Sequence, residues 1–340
     1  MPGQIRHLCL WAPDLFRLAR SLPDKDSPVH QLLARFLSRS KSRCLDADPL
    51  EALFDFASSE TAVTLAACAD DVVVNDRFVL RADPVQLIPD MDHLVLQSLP
   101  DDALTSAEAS ALIAAFNTLY TEEGIELILA SPNRWYLLCN KPLDARFTTL
   151  AQVDGQNIFT HMPAGKDKLF WTKLMNETQM LFHHHDVNTR RQQQHRIPIN
   201  SIWLWGNNSI SAHSDMHWTA VYSNDVVIKG AAMKSRSVVA VLPDNLSDIL
   251  PHQQDAVLIH YDYMPHTAAH NITDSLDHFY EHWFRPACDA LMNEQIEQLT
   301  LLPDNRNMWT ATRRSLRQWW RRNRKLTSYI DASEDPHANT

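Results

Sequence analysis

Hydrophobic spacing divides the chain into segments of two periods. Residues Ile5–Trp11 are mostly apolar and are closed by Ala-Pro-Asp, which predicts a buried strand. Ser27-Pro28 then opens VHQLLARFL, whose apolar spacing predicts a helix with proline in its first turn. The Arg/Ser/Lys cluster at 38–43 reads as a loop, and 49–69 as two helices broken near Ser58-Ser59. From Phe78 to Leu96 the period drops to two, as in strands, with turn residues at 89–92. Thr105-Ser106-Ala107-Glu108 caps a helix that Gly124 ends, and Ile125–Leu129 and Arg134–Cys139 read as two more strands. The result is a β-β-α-β-β unit at about 78–142, followed by a polar connector over 143–165.

Beyond the connector, Lys166–His185 has helical spacing and NSIWLWG reads as a strand ending at Gly206. Val226–Ile228, Val238–Val241 and Ala256–Tyr261 read as strands, and Ser275–Gln298 as one long amphipathic helix. Leu299–Leu302 is taken as a last strand, and 306–328 as a basic, Trp-rich helix. Strand–helix alternation at both ends of the chain predicts an α/β fold. The expected divisions are 1–77 as the first part of the α/β core, 78–165 as an inserted α+β domain and 166–305 as the second part of the core. The basic helix 306–328 and a disordered tail at 329–340 complete the chain.

Composition excludes several chemistries. The six glycines are too scattered for a dinucleotide fingerprint or a P-loop, both of which need side-chain-free backbone against phosphate. The five cysteines include no CxxC pair, so a reducing, cytoplasmic setting is expected. No apolar run approaches the roughly 20 residues of a membrane span, so no membrane partner is expected. A net charge of −10 argues against nucleic acid as a partner.

The densest polar cluster is IHYDYMPHTAAH followed by HFYEHW, which contains His260, Asp262, His266, His270, His278 and His282. Imidazole and carboxylate at a strand end suit Zn²⁺ or Mn²⁺, yet a chain with 17 histidines clusters some by chance, and HExxH is missing. His183–His185 suits a helix C-terminus through the dipole as readily as a ligand. RRSLRQWWRRNRKL (313–326) fits nucleic acid by phosphate contact and stacking, or a helix docked through Trp319 and Trp320. No GxSxG elbow is present.

One long motif resembles a known family. Val187, Asn188, Arg191, Asn200, Ile202, Trp203, Leu204, Trp205 and Gly206 match the Val-Asn-x-x-Arg and Asn-x-Ile-Trp-Leu-Trp-Gly runs of archaeal-type cofactor-independent phosphoglycerate mutases. SPVHQLLARF, the 105–138 passage and VLIHYDYMPHTAAH are similar to further family segments in the same order, covering roughly 27–303. The resemblance implies an alkaline-phosphatase-like α/β core sheet with an inserted α+β domain. It also implies a ligand site lined by Arg134, Asn188, Arg191, Asn200 and Trp203, and a metal site at His260, Asp262 and His270 that takes Mn²⁺ or Zn²⁺ if the protein is catalytic.

The chain departs from the family in its metal segment. Pro265 stands where a carboxylate is needed, His270 falls one place late, and Asp14 lacks the expected glycine neighbour. Fewer anionic ligands hold divalent ions poorly, so the metal centre is expected to be eroded and no cofactor retained. Leu174–Met180, Leu80–Val85, Arg134–Leu137 and NSIWLWG together resemble a narrower branch, the bacterial RpfE-type regulatory proteins. Three functions are therefore expected: a regulatory pseudoenzyme binding a phosphorylated or acidic small molecule or a protein partner, an active mutase, or an interaction protein using its Arg/Trp-rich C-terminal helix.

Overall fold

The computed structural model describes residues 5–21, 27–56, 60–100, 102–141, 144–206, 209–210, 214–252, 254–262, 272–318 and 320–334. They group into two compact units, one made of 1–59 with 211–340 and the other of 60–210.

The first unit is built on a seven-stranded sheet. Its order is Val238–Ala240, Ala220–Tyr222, Ala256–His260, Ile5–Trp11, Ile296–Leu302, Asn307–Thr312 and Lys41–Cys44. The first five strands are parallel, and Asn307–Thr312 runs antiparallel to both of its neighbours. Ile5–Trp11 lies between two parallel neighbours, which is why its residues from Leu8 to Trp11 are buried without alternation. The helix Pro28–Arg39 starts as the sequence predicts: Ser27 Oγ accepts the His30 N–H, and Pro28 sits where no donor is needed. Its Leu33, Phe36 and Leu37 join Leu8, Leu10, Trp283 and Leu299 in the core.

The second unit is an α+β body. Phe78–Asp90 pairs antiparallel with Ser201–Trp205, Arg134–Cys139 and His93–Ser98, and Ile125–Ser131 pairs with Arg134–Cys139. Leu80, Ala82, Leu127, Leu137, Ile202 and Leu204 point to one face, where they pack with the helices Ser106–Tyr120 and Lys168–His183. A Thr105/Glu108 capping box starts the first of these helices. Gly124, at φ 77°, ends the short 3-10 turn that follows it. The unit begins and ends in one two-stranded ladder, Glu60–Thr61 against Ser209–Ile210.

The α/β class is as expected, but several elements differ. Residues 166–206, expected in the core, belong to the second unit, because Ser201–Trp205 completes its sheet and Lys168–His183 covers it. Val226–Lys234 is a helix: Asp225 Oδ1 accepts the N–H groups of Val227 and Ile228, and this cap overrides the β-branched run. The expected helix over 275–298 ends at Met292. Pro286 removes a donor within it, and a π-turn over Tyr280–Phe284 closes on an Arg285 N–H to Tyr280 C=O bond. The 38–43 loop contains the start of the edge strand Lys41–Cys44.

The basic helix expected over 306–328 is not formed. Residues Asn307–Thr312 alternate as a strand, Arg313–Leu316 make one helical turn, and a short helix, Leu326–Glu334, occupies part of the expected tail. Among the described residues, no helix is long and apolar enough to cross a membrane.

Candidate functional site

In open parallel sheets, loops beyond the carboxyl ends of the strands collect polar side chains. In the first unit, Trp11 ends the central strand in register with His260 on one side and Leu302 on the other. The Trp11 and His260 rings meet edge-on at 4.6 Å, and Trp11 Nε1 donates to Asn305 Oδ1 at 3.2 Å. Ser223 follows the neighbouring strand, and its Oγ lies 3.1 Å from His260 Nδ1. The Asp225 N–H donates to the same Oγ at 3.0 Å. Ser223 and His260 are both buried.

Burial holds the His260 imidazole below its usual pKa, against the opposing pull of Asp225 and Asp262, so the ring is neutral near pH 7. A neutral ring has two ways to use this pair. Ser223 can donate to Nδ1, which turns Nε2–H outward, or Nδ1–H can donate to Ser223, which leaves the Nε2 lone pair outward.

Only the second tautomer can ligate a metal. A divalent ion also needs about three protein donors. Asp225 is committed to the Val226–Lys234 helix, Asp14 is paired with Arg17 at 2.8 Å, and Asp304 accepts the N–H groups of Arg306 and Asn307. Asp262 is exposed. Among the described residues, no three His, Cys, Asp or Glu side chains converge. His270, with His266, lies outside the described residues.

The five residues expected to line a ligand site all fall in the second unit, and each has structural partners. Asn188 is buried and bridges two segments, donating to the carbonyls of Phe182 and Ile199 and accepting the Ile199 N–H. Arg191, also buried, donates to Ile197 O, Ala103 O and Glu108. Asn200 makes a reciprocal pair with the backbone of Leu87. Trp203 Nε1 donates to Thr148 O. Arg134 makes a two-pronged pair with Asp70, at 2.6 and 2.7 Å, and Tyr136 OH adds a third bond at 2.6 Å.

Arg134 belongs to a larger array on the sheet face opposite the helices. Arg81 stands directly opposite both Tyr136 and Trp205. Its guanidinium carbon lies 5.6 Å from the first ring centroid and 5.3 Å from the second, and it pairs with Asp83. Trp205 Nε1 also donates to Asp83, at 2.7 Å. Burial raises the Asp83 pKa, while Arg81, Trp205 and Arg134 oppose the shift. Both arginines bind their carboxylates through Nε and Nη2. Among the described residues, no hydrogen bond occupies either Nη1.

No family profile matches the chain. Curated proteins match parts of it. A stretch of 192 residues, 56 % of the chain, is 24 % identical to the 2,3-bisphosphoglycerate-independent phosphoglycerate mutase of Methanosarcina mazei, and covers 44 % of that protein. A stretch of 138 residues, 40 % of the chain, is 25 % identical to a probable enzyme of the same description from Geobacter sulfurreducens, and covers 35 % of it. The chain is a distant relative of these mutases. It spans less than half the length of the curated mutases it matches. Among solved structures, the cofactor-independent phosphoglycerate mutase of Thermoplasma acidophilum superposes with a TM-score of 0.45 at 12 % identity, covering 91 % of this chain and 90 % of that one. A Pyrococcus horikoshii protein gives 0.49 at 11 %, covering 91 % and 88 %.

Sequence reasoning missed the Ser223–His260 pair and the Arg81 array. Ser223-Asn224-Asp225 ahead of an apolar run is a helix-start signal that would have placed Ser223 at a strand end. Arg81 and Asp83 stand two residues apart in a strand, which puts both charges on one face.

Proposed function

We propose that the chain is a regulatory relative of the phosphoglycerate mutases that binds a phosphorylated or acidic small molecule and does not isomerise it. The observation that carries this reading is the commitment of the strand-end groups in the first unit. Ser223 is bonded to His260 and to the Asp225 backbone, and the Asp225 carboxylate caps a helix. A metal-assisted phosphoryl transfer needs a free nucleophile and several uncommitted carboxylates around its ions.

Ligand binding is assigned to the second unit. The Nη1 groups of Arg81 and Arg134 are the donors left over on a face where Tyr136, Trp205 and two carboxylates hold the guanidiniums rigid. Pre-set arginine forks favour phosphate and carboxylate.

Titration calorimetry of the metal-free protein with 2- and 3-phosphoglycerate is the test, run beside a coupled mutase assay with added Mn²⁺ and metal analysis. Heat of binding without turnover is expected. Arg134→Lys, which keeps a charge beside Asp70 but loses the fork, should weaken binding about tenfold. Stoichiometric metal, with turnover abolished by His260→Ala and His270→Ala, would establish an active mutase instead.

A further inference from the structure

Two stretches, 27–45 and 305–330, contain twelve of the 31 lysines and arginines and none of the 41 carboxylates. The rest of the chain carries 19 cations against those 41 acids. The fold of the first unit brings the two stretches together. The strand Lys41–Cys44 pairs with Asn307–Thr312, and Arg39 Nη1 donates to Leu316 O at 3.1 Å. Arg321 Nη1 reaches Ser38 O at 3.3 Å, and the Arg324 N–H reaches Ser38 Oγ at 2.9 Å. The loop between Leu316 and Arg324 is thus pinned at both ends to Ser38–Arg39.

The pinned loop shows cations and an aromatic ring to solvent. Arg314, Arg317, Arg321, Arg322, Arg324 and Lys325 are exposed, and Trp320 is 64 % exposed. Arg35, on the neighbouring helix, is exposed as well. Arg313 pairs with Glu294. Among the described residues, Arg314, Arg317, Arg322, Arg324 and Lys325 have no carboxylate partner. Beside the loop lies a cavity of about 600 Å³ lined in part by His30, Gln31, Asn323, Arg324, Lys325 and Thr327. The docked-helix alternative required these residues to form a helix laid on the body. Residues 317–318 and 320–325 are not helical, Trp320 is on the outside, and Trp319 lies outside the described residues.

We propose that this face binds single-stranded nucleic acid. Closely spaced cations follow a phosphate backbone, and an exposed indole flanked by arginines is a stacking platform for a base. The cavity, with Asn323, Arg324 and Lys325 on its wall, is wide enough for a second base. The net charge of −10 does not oppose this, because screening over about 8 Å separates the patch from distant carboxylates. A narrow strand suits the patch better than an anionic bilayer, because the rest of the chain carries 19 cations against 41 carboxylates.

Fluorescence anisotropy of the full chain with labelled oligo(U) and oligo(dT) of about 20 nucleotides, between about 50 and 200 mM salt, tests the proposal. Binding that weakens steeply with salt is expected, and the two probes separate RNA from DNA. Arg317→Glu, Arg322→Glu and Arg324→Glu combined should flatten the log–log salt slope by about two, from ~0.7 per lost phosphate contact. Trp320→Ala should weaken binding about tenfold at an unchanged slope, through one lost stack. Circular dichroism melts confirm that both variants fold. No binding at the lowest salt, binding unchanged in the triple variant, or binding only to phosphatidylserine vesicles would overturn the proposal.

Discussion

His7 is the side chain whose ionisation most directly reports on folding. It sits in the central strand with Nε2 2.9 Å from Thr300 Oγ1, and burial lowers its pKa to about 4. The unfolded chain keeps a value of about 6.5. Below pH 6.5 the unfolded state takes up a proton that the folded state refuses, so stability falls with pH until about 4. It is fully present above pH 6.5. The whole window is worth about 3 kcal/mol, and roughly 2 kcal/mol of it is gone by pH 5. His260, also lowered by burial, acts in the same direction. Urea unfolding at pH 7.5 and pH 5.0 should show this loss, and His7→Gln should reduce it by about 2 kcal/mol. Residue types were legible in the sequence, but commitments were not. Asn188 and Arg191 stand in a motif that resembles a ligand site, yet their hydrogen bonds go to backbone up to 88 residues away. The Ser223–His260 pair is separated by 37 residues and depends on strand order, which spacing does not encode.

Elements were readable where a local signal agreed with the tertiary setting. The caps at Ser27 and Thr105 did so, and both helices begin where expected. The sequence misled where the two disagreed. Val226–Ile228 has strand composition behind a strong Asp225 cap, and the Asn307–Thr312 strand is flanked by a helix-like run of arginines. Gly206 is a case in which the element's end is fixed by geometry. It closes the Ser201–Trp205 strand at φ 102°, and a Cβ there would meet Val63 Cγ2 at 2.0 Å. Gly206→Ala should cost about 3 kcal/mol, the sum of a left-handed backbone penalty and a clash. Adding Val63→Ala should recover part of the loss but leave the backbone penalty. Denaturant titration of the double-mutant cycle measures both.

At the scale of the whole molecule, the second unit is one continuous stretch with its own core and both ends in a single ladder. A fragment of residues 60–210 should fold alone and melt in a single cooperative transition, with a fluorescence change from its buried tryptophans, among them Trp135, Trp171 and Trp203. A fragment that shows no transition would mean the unit depends on the remaining chain. The two-unit organisation was partly legible, since the 78–142 unit stood out by its period. The boundary at 210 was not, because a strand that completes a sheet reads the same as one that starts another.

The central strand Ile5–Trp11 carries a consequence for synthesis. Both of its neighbours, Ala256–His260 and Ile296–Leu302, leave the ribosome roughly 250 or more residues later. Until then a mostly apolar strand waits with two open edges while the second unit is completed ahead of it. Nascent chains halted before residue 256 should therefore recruit holdase chaperones at their beginning, and release them once the last strands emerge.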